Sequence, residues 1–235
     1  MSAWWNGNAD GPACLVCGGV RYQRTRVLWD GLIAEWGLSS DESEFIDKQQ
    51  GVCCTRCGCN LRSIALAGAI CDTAGFGGTF DDWLATAPAA RVLEVNPAGG
   101  LTRRLGALGG LVRAAYPEVD MVELPYDDGS FDLVVHSDTL EHVRDPGRAV
   151  RECRRVLRAG GYLAMTVPVI PARMTRSRAG LTPSYHGGEG TERADHLVHT
   201  EFGADVWTLL CDSGFDRAGT RVFAWPSGIS WWARR

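Results

Sequence analysis

From Arg91 onward, short β-branched runs alternate with segments of helical spacing: "RVLEV", "LTRRLGAL", "GLVRAAY", "FDLVVHS", "DPGRAVRECRRVLR", "GGYLAMTVP", "EFGADVWTLLCDSG" and "FDRAGTRVFAW". Strands alternating with helices of this length predict an α/β fold, a mostly parallel sheet with helices on both faces. Upstream, "NLRSIALAGAICDTAG" repeats Leu61, Ile64, Ala65, Leu66 and Ala69 at helical spacing, and the "GFGG" at 75 to 78 ends it. This helix is expected to join a head to the body. Before it lie an apolar stretch, "RVLWDGLIAEWGL", and an acidic one, "SSDESEFID", where Ser39 or Ser40 is placed to cap a short helix. The arginines of "RAVRECRRVLR" fall opposite Ala149, Val150, Cys153, Val156 and Leu157, which makes them a solvated outer face. The chain divides into a head with its linking helix over 1–75 and a body over 76–235.

Composition narrows the function classes. The 235 residues are 45% hydrophobic and 22% charged, which suits one sizeable domain with a small appendage. The net charge of −4 gives no push towards nucleic acid or acidic membranes. Lys48 is the only lysine beside 23 arginines, a usage that points to a GC-rich bacterial genome. The start "MSAWWNGNADGPAC" has neither a basic lead nor an apolar run, and no window approaches the roughly 18 apolar residues of a membrane span, so a cytoplasmic protein is expected. The pairs Trp4/Trp5 and Trp231/Trp232 would be odd on a bare surface, and imply packing on each other, on the head or at a homodimer contact.

Six of the nine cysteines precede residue 60. Two Cys-x-x-Cys knuckles, Cys14/Cys17 and Cys54/Cys57, offer four thiolates for a tetrahedral Zn²⁺, each sulfur about 2.3 Å from the metal. Gly18 and Gly58 suit the tight turns of such knuckles. The second knuckle has rival ligands in Cys53 and Cys59. A closed four-sulfur site leaves no open position for substrate, which makes the zinc structural.

"RVLEVNPAGGLTRRL" reads as strand, turn and helix start, the place where an open α/β sheet binds a ligand on backbone N–H groups. Asn96 is expected as the helix N-cap and Pro97 in the first turn. Downstream, "VDMVELPYDDGSFDLVVHSDTLEHVRDPGRAVRECRRVLRAGGYLAMTVP" closely resembles class I S-adenosylmethionine-dependent methyltransferases of the type 11 group, with their D-x-x-x-L-P-[FY]-x-D-x-S-F-D, L-E-H and R-V-L-x-x-G-G motifs. The resemblance implies a Rossmann-like sheet and S-adenosylmethionine as cofactor. It implies that Asp120 meets the adenine amino group with Met121 flanking the ring, and that His136, Ser137, Asp138 and His142 line the pocket. The family's acidic-x-Gly-x-Gly-x-Gly loop falls on Glu94, Asn96, Ala98 and Gly100, so Glu94, Asn96, Pro97, Ala98, Gly99 and Gly100 are candidate cofactor contacts. Two of three glycines are missing, and the helix and third strand that usually separate the second strand from Asp120 are shortened or absent. No acid stands where the ribose is usually held.

"VIPARMTRSRAGLTPSYHGGEGTERADHLVHT" holds three of the five histidines in a segment of about 30 residues, long enough to be functional. The resemblance makes it the cover of the acceptor pocket, with Tyr185, His186, Asp195, His196 and His199 as acceptor contacts. A near-neutral histidine there can take a proton from a hydroxyl or amine as the methyl group arrives, which makes Tyr185, His186, His196 and His199 the catalytic candidates. Arg173, Arg176 and Arg178 either hold an acidic group of the acceptor or form a solvated face. The expected activity is methyl transfer to a small molecule in bacterial natural-product biosynthesis. The alternatives are a zinc-headed ribosomal RNA methyltransferase, a protein using the cofactor for non-methyl chemistry, and a non-catalytic scaffold.

Overall fold

The computed structural model describes residues 9–86, 89–185, 194–224 and 227–235. The head opens with β1 (Ala9–Asp10) and β2 (Arg21–Arg24), followed by α1 (Asp30–Trp36) and α2 (Ser40–Gly51), and β3 (Val52–Cys54) completes a small antiparallel sheet in the order β1-β2-β3. Gly37 ends α1 at φ 53, a conformation that costs glycine little. Ser39 caps α2 through a capping box: its hydroxyl accepts the Glu42 N–H, and the Glu42 carboxylate accepts the Ser39 N–H at 2.9 Å. Such a cap contributes about 1 kcal/mol.

After α3 (Leu61–Thr73) and α4 (Phe80–Thr86), the body runs β4 (Val92–Val95), α5 (Thr102–Leu105), β5 (Leu111–Ala114), β6 (Phe131–Ser137), α6 (Pro146–Val156), β7 (Leu157–Thr166), β8 (Val169–Ile170), β9 (Arg176–Ser177), β10 (Thr200–Gly203), α7 (Val206–Asp212), β11 (Arg217–Phe223) and β12 (Gly228–Arg234). Six strands form the central sheet in the order β11-β12-β7-β6-β4-β5. The four strands from β7 to β5 are parallel, and β12 pairs antiparallel with both β7 and β11. β8, β10 and β9 make a separate three-stranded patch.

Side chains alternate across the sheet and build two cores. Leu93, Val134, Leu163, Met165 and Trp231 pack towards α6 and α7, while Val92, Leu133, Val135 and Ala164 pack towards α3, α4 and α5. The fold is therefore the expected α/β sheet with helices on both faces. In α6, Ala149, Val150, Cys153 and Val156 are the buried residues. Asp145 caps its start by accepting the Arg148 N–H at 2.8 Å. Among the described residues, no strand lies beyond β5 at that edge, as the short step from the second strand to Asp120 implied.

Two expectations change. α3 does more than join head to body: every residue from Leu61 to Cys71 is buried, and the helix lies on β7, β11 and β12. A helix apolar all round has to be covered all round, and it shares one core with Cys14, Val16 and Tyr22 of the head. The second change concerns "ISWWAR", which is strand β12. Neighbours on a strand point to opposite faces, so Trp231 enters the core while Trp232 meets Tyr162 edge-on at 6.3 Å. Trp231 and Trp232 thus pack on the core and on Tyr162 and not on each other; Trp4 and Trp5 lie outside the described residues. Among the described residues, no helix is long and apolar enough to cross a membrane.

Candidate functional site

The chain leaves β4 towards β5 on one side, and β6 lies on the other, so the strand order reverses at the carboxyl end of β4. Open α/β sheets bind ligands at such a switch point. A cavity of about 1200 Å³ lies there, lined by Asn96 and Pro97 after β4, Tyr116 after β5, Asp138 to Arg148 beyond β6, and residues of the head.

The turn after β4 is built unlike a glycine loop. Asn96 sits at φ 53 and its side-chain oxygen accepts the Tyr116 N–H at 3.0 Å. It is therefore not the helix cap, because helical geometry starts only at the 3₁₀ turn Gly99–Leu101, which has no side-chain cap. The buried Glu94 carboxylate accepts the Ala98 N–H and the Arg113 Nε, each at 3.0 Å. The Gly100 N–H donates to Ser63 Oγ at 3.0 Å, and the Asn96 N–H to the Ala114 carbonyl. A Cβ on Gly100 would lie 2.9 Å from Cys59 Sγ, so glycine lets the turn press against the head. Glu94, Ala98 and Gly100 thus brace the turn, and neither they nor Gly99 are among the residues lining the cavity. Ser137 also turns away, sharing a 2.7 Å hydrogen bond with Thr166.

Of the remaining cofactor candidates, Asn96, Pro97, Asp120, Met121, Asp138 and His142 all line the cavity. Asp120 is exposed and accepts the Val122 N–H at 3.0 Å, while Met121 is buried. The cavity floor adds two groups that the sequence reading left unassigned, Arg62 and Glu141. Arg62 reaches from α3 to Asp138, with Nη2 2.7 Å from Oδ2. Burial, and then the charge of Asp138, push the Glu141 carboxyl well above its usual range.

His136 was expected in the pocket but is fully buried in the sheet, with neither ring nitrogen bonded to a protein group among the described residues. Burial lowers its pKa from 6.5 to about 3. Its stabilising neutral form is complete above pH 6.5 and is lost as pH falls towards 3. His136→Leu is expected to match wild type at pH 7.5 and to exceed it by about 3 kcal/mol near pH 4, measured by urea unfolding. Equal acid sensitivity in both proteins would remove His136 as the cause.

On the acceptor side, Tyr185, Asp195, His196 and His199 line the cavity; His186 lies outside the described residues. His142 Nδ1 is 3.1 Å from the Leu197 carbonyl. A carbonyl only accepts, so Nδ1 carries the proton and Nε2 carries the lone pair. Burial lowers the pKa of this ring, and the His196 ring centroid is 6.4 Å away. The opposite wall comes from the head: Trp29, Leu32, Trp36 and Ile46.

The three arginines of the long segment are engaged in ion pairs within the protein, Arg176 while its side chain stays exposed. Arg173 grips Glu42 through Nε at 2.6 Å and Nη2 at 2.8 Å, and donates to the Trp36 and Gly37 carbonyls. That contact holds the Glu42 carboxyl at about 2. Arg176 and Arg178 pair with Glu201, and Arg178 lies over the Trp36 ring at 5.2 Å. Arg173 and Arg178 fasten the acceptor segment to the head, and Arg176 ties β9 to β10.

In the head, Cys14, Cys17, Cys54 and Cys57 place their sulfurs within 4.8 Å of one another. The Cys14–Cys57 and Cys17–Cys54 separations are both 3.7 Å, close to the roughly 3.8 Å edge of a tetrahedron with 2.3 Å metal–sulfur bonds. The two knuckles are built alike: Gly18 and Gly58 both sit at φ 75, and each donates to the carbonyl of its first cysteine at 2.8 Å. Of the rivals, Cys53 turns to the Gln50 carbonyl, and Cys59 reaches the Gly100 carbonyl while lying beside Cys57, outside the converging four.

Residues 73–165 match the family model described as a methyltransferase domain. A Mycobacterium tuberculosis protein named a probable S-adenosylmethionine-dependent methyltransferase is 38% identical over 111 residues, which cover 44% of this chain and 35% of the relative. The chain therefore spans about a third of that relative's length. The 27-O-demethylrifamycin SV methyltransferase of Amycolatopsis mediterranei is 43% identical over 53 residues, covering 23% of this chain and 20% of its own. A solved S-adenosylmethionine-dependent methyltransferase from Mesorhizobium loti shares 16% identity over 66% of this chain and 98% of its own, at a TM-score of 0.39.

Proposed function

We propose that the protein binds S-adenosylmethionine in the switch-point cavity and transfers its methyl group to a small molecule bearing a hydroxyl or amine, with a structural zinc in the head. The observation that carries this reading is the coincidence of the methyltransferase-domain match with a large cavity at the carboxyl ends of its strands. When bound, the cofactor supplies an electrophilic methyl carbon on a sulfonium.

The chain's own residues supply recognition and proton handling. Asp120 is assigned to the adenine amino group and Met121 to the ring face, on the resemblance of their motif. The apolar wall of Trp29, Leu32, Trp36 and Ile46 suits an acceptor with an apolar or aromatic body and keeps water from the transfer. His142, with its tautomer set by the Leu197 carbonyl, is assigned as the proton acceptor, and His196, His199 and Tyr185 as acceptor contacts. Alignment of nucleophile, methyl carbon and sulfur contributes the rest. The similarity to an enzyme named for rifamycin methylation supports a place in bacterial natural-product biosynthesis. The net charge of −4 and the apolar wall favour a small acceptor over ribosomal RNA.

Calorimetric titration with S-adenosylmethionine and S-adenosylhomocysteine tests the reading. Saturable binding of both at one site per chain is expected, and absence of binding to both sinks every version that uses this cofactor.

A further inference from the structure

We propose that Arg62 receives the carboxylate of the cofactor's amino-acid end, beside Asp138 for its ammonium, and so takes over a grip that the turn after β4 does not provide. The assignment rests on the cofactor reading above and deepens it.

Three of the turn's backbone donors are already taken. The N–H groups of Asn96, Ala98 and Gly100 are bonded to Ala114, Glu94 and Ser63, and Glu94 itself is closed off by Arg113. The zwitterionic end of the cofactor therefore needs partners on the cavity wall beyond these three donors.

Arg62 lines that wall and is only 6% exposed. Its Nη2 pairs with Asp138, but Nε and Nη1 are buried with no protein partner among the described residues, and so is Asp138 Oδ1. Buried donors on a charged group are costly to leave unmade. A guanidinium edge matches a carboxylate geometrically, and the neighbouring carboxylate oxygen matches an ammonium. The other cavity arginines, Arg144 and Arg148, are exposed.

Arg62 is also held in place. Asn60 caps α3 by accepting the Ser63 N–H at 2.9 Å, and the chain before it is the second cysteine knuckle. The head therefore positions this guanidinium. Glu141 and His142 line the same cavity, and with the Glu141 carboxyl pushed up by burial, Asp138 is the carboxylate that pairs with this guanidinium.

The test compares S-adenosylmethionine with decarboxylated S-adenosylmethionine, which keeps the sulfonium, ammonium and adenosine. Wild type is expected to bind the decarboxylated form at least about tenfold more weakly, which is about 1.4 kcal/mol. Arg62→Gln should weaken S-adenosylmethionine to the level of the decarboxylated form while moving the latter less than about threefold, and Arg62→Lys should fall between, as a cycle of ligand and side chain requires. Equal affinity of wild type for the two ligands overturns the assignment whatever the variants do. Equal weakening of both ligands by Arg62→Gln also overturns it, because that is the signature of a brace for Asp138. Wild type that binds neither ligand fails the cofactor reading itself and takes this assignment with it.

Discussion

Replacing Cys54 with serine, or prolonged chelation, is expected to remove one zinc per chain and lower the melting temperature by about 10 °C or more. A structural zinc is worth on the order of 10 kcal/mol to an isolated zinc-binding peptide, because its folding and binding are one event. In a chain of this length each kcal/mol moves the melting temperature by roughly 2–4 °C, so even partial compensation by the shared core leaves a large shift. The head is not a detachable module here, since Cys14, Cys54 and Cys59 lie in the core that also holds Leu61, Val92 and Leu105. Cofactor affinity should fall with the metal, because Cys59, Asn60, Arg62 and Ser63 carry the knuckle's position to the turn and the cavity floor. Cys53→Ser provides the contrast: its sulfur engages the Gln50 carbonyl, and metal content should stay at one. Metal analysis of the purified protein decides the matter. A wild type well below one zinc per chain, or a Cys54→Ser protein that keeps its metal, would end the zinc assignment.

What could be read from residues alone followed from local physics. Period-2 runs and helical spacing marked β4 to β7 and α6, and Ser39 or Ser40 before "DESEFID" marked a helix start, which Ser39 makes. The cysteine spacing likewise selected the four sulfurs that converge. The failures share another cause. Asn96 is a good helix cap by type, yet its side chain is recruited by the Tyr116 N–H from the turn after β5, 20 residues away in sequence, and no local rule reports that. Glu94 kept its family register while its carboxylate was taken by Arg113 across a strand pair. The three arginines of the acceptor segment read as solvent or ligand contacts because their partners Glu42 and Glu201 are set by tertiary packing. Arg62 did leave a signal: the one charge in the apolar run from Leu61 to Cys71 must be paired or poised for a ligand. The role of the head in walling the acceptor side left none, since α1 reads as an ordinary apolar helix until the cavity beside it is seen.

His142→Ala is expected to lower the turnover number by about 10²–10⁴ while leaving cofactor affinity within about threefold, the range a positioned general base supplies. The argument is geometric first. The Leu197 carbonyl at 3.1 Å fixes the proton on Nδ1, so the ring presents its basic nitrogen without an orientational search, and the carbonyl belongs to the same segment that carries His196 and His199 over the cavity. Burial lowers the pKa of this imidazole below its usual 6.5, which keeps the basic form dominant at neutral pH. A rate limited by that form should be flat through pH 7 and decline only below pH 6.5, and the decline should disappear in the variant. Release of S-adenosylhomocysteine with a panel of aromatic phenols and amines measures both quantities. His196→Ala, lacking that backbone contact, should alter KM more than turnover and keep the wild-type pH profile. If instead His142→Ala keeps full turnover and its acid limb while His196→Ala loses both, the base is His196, and the Leu197 contact serves only to anchor the segment.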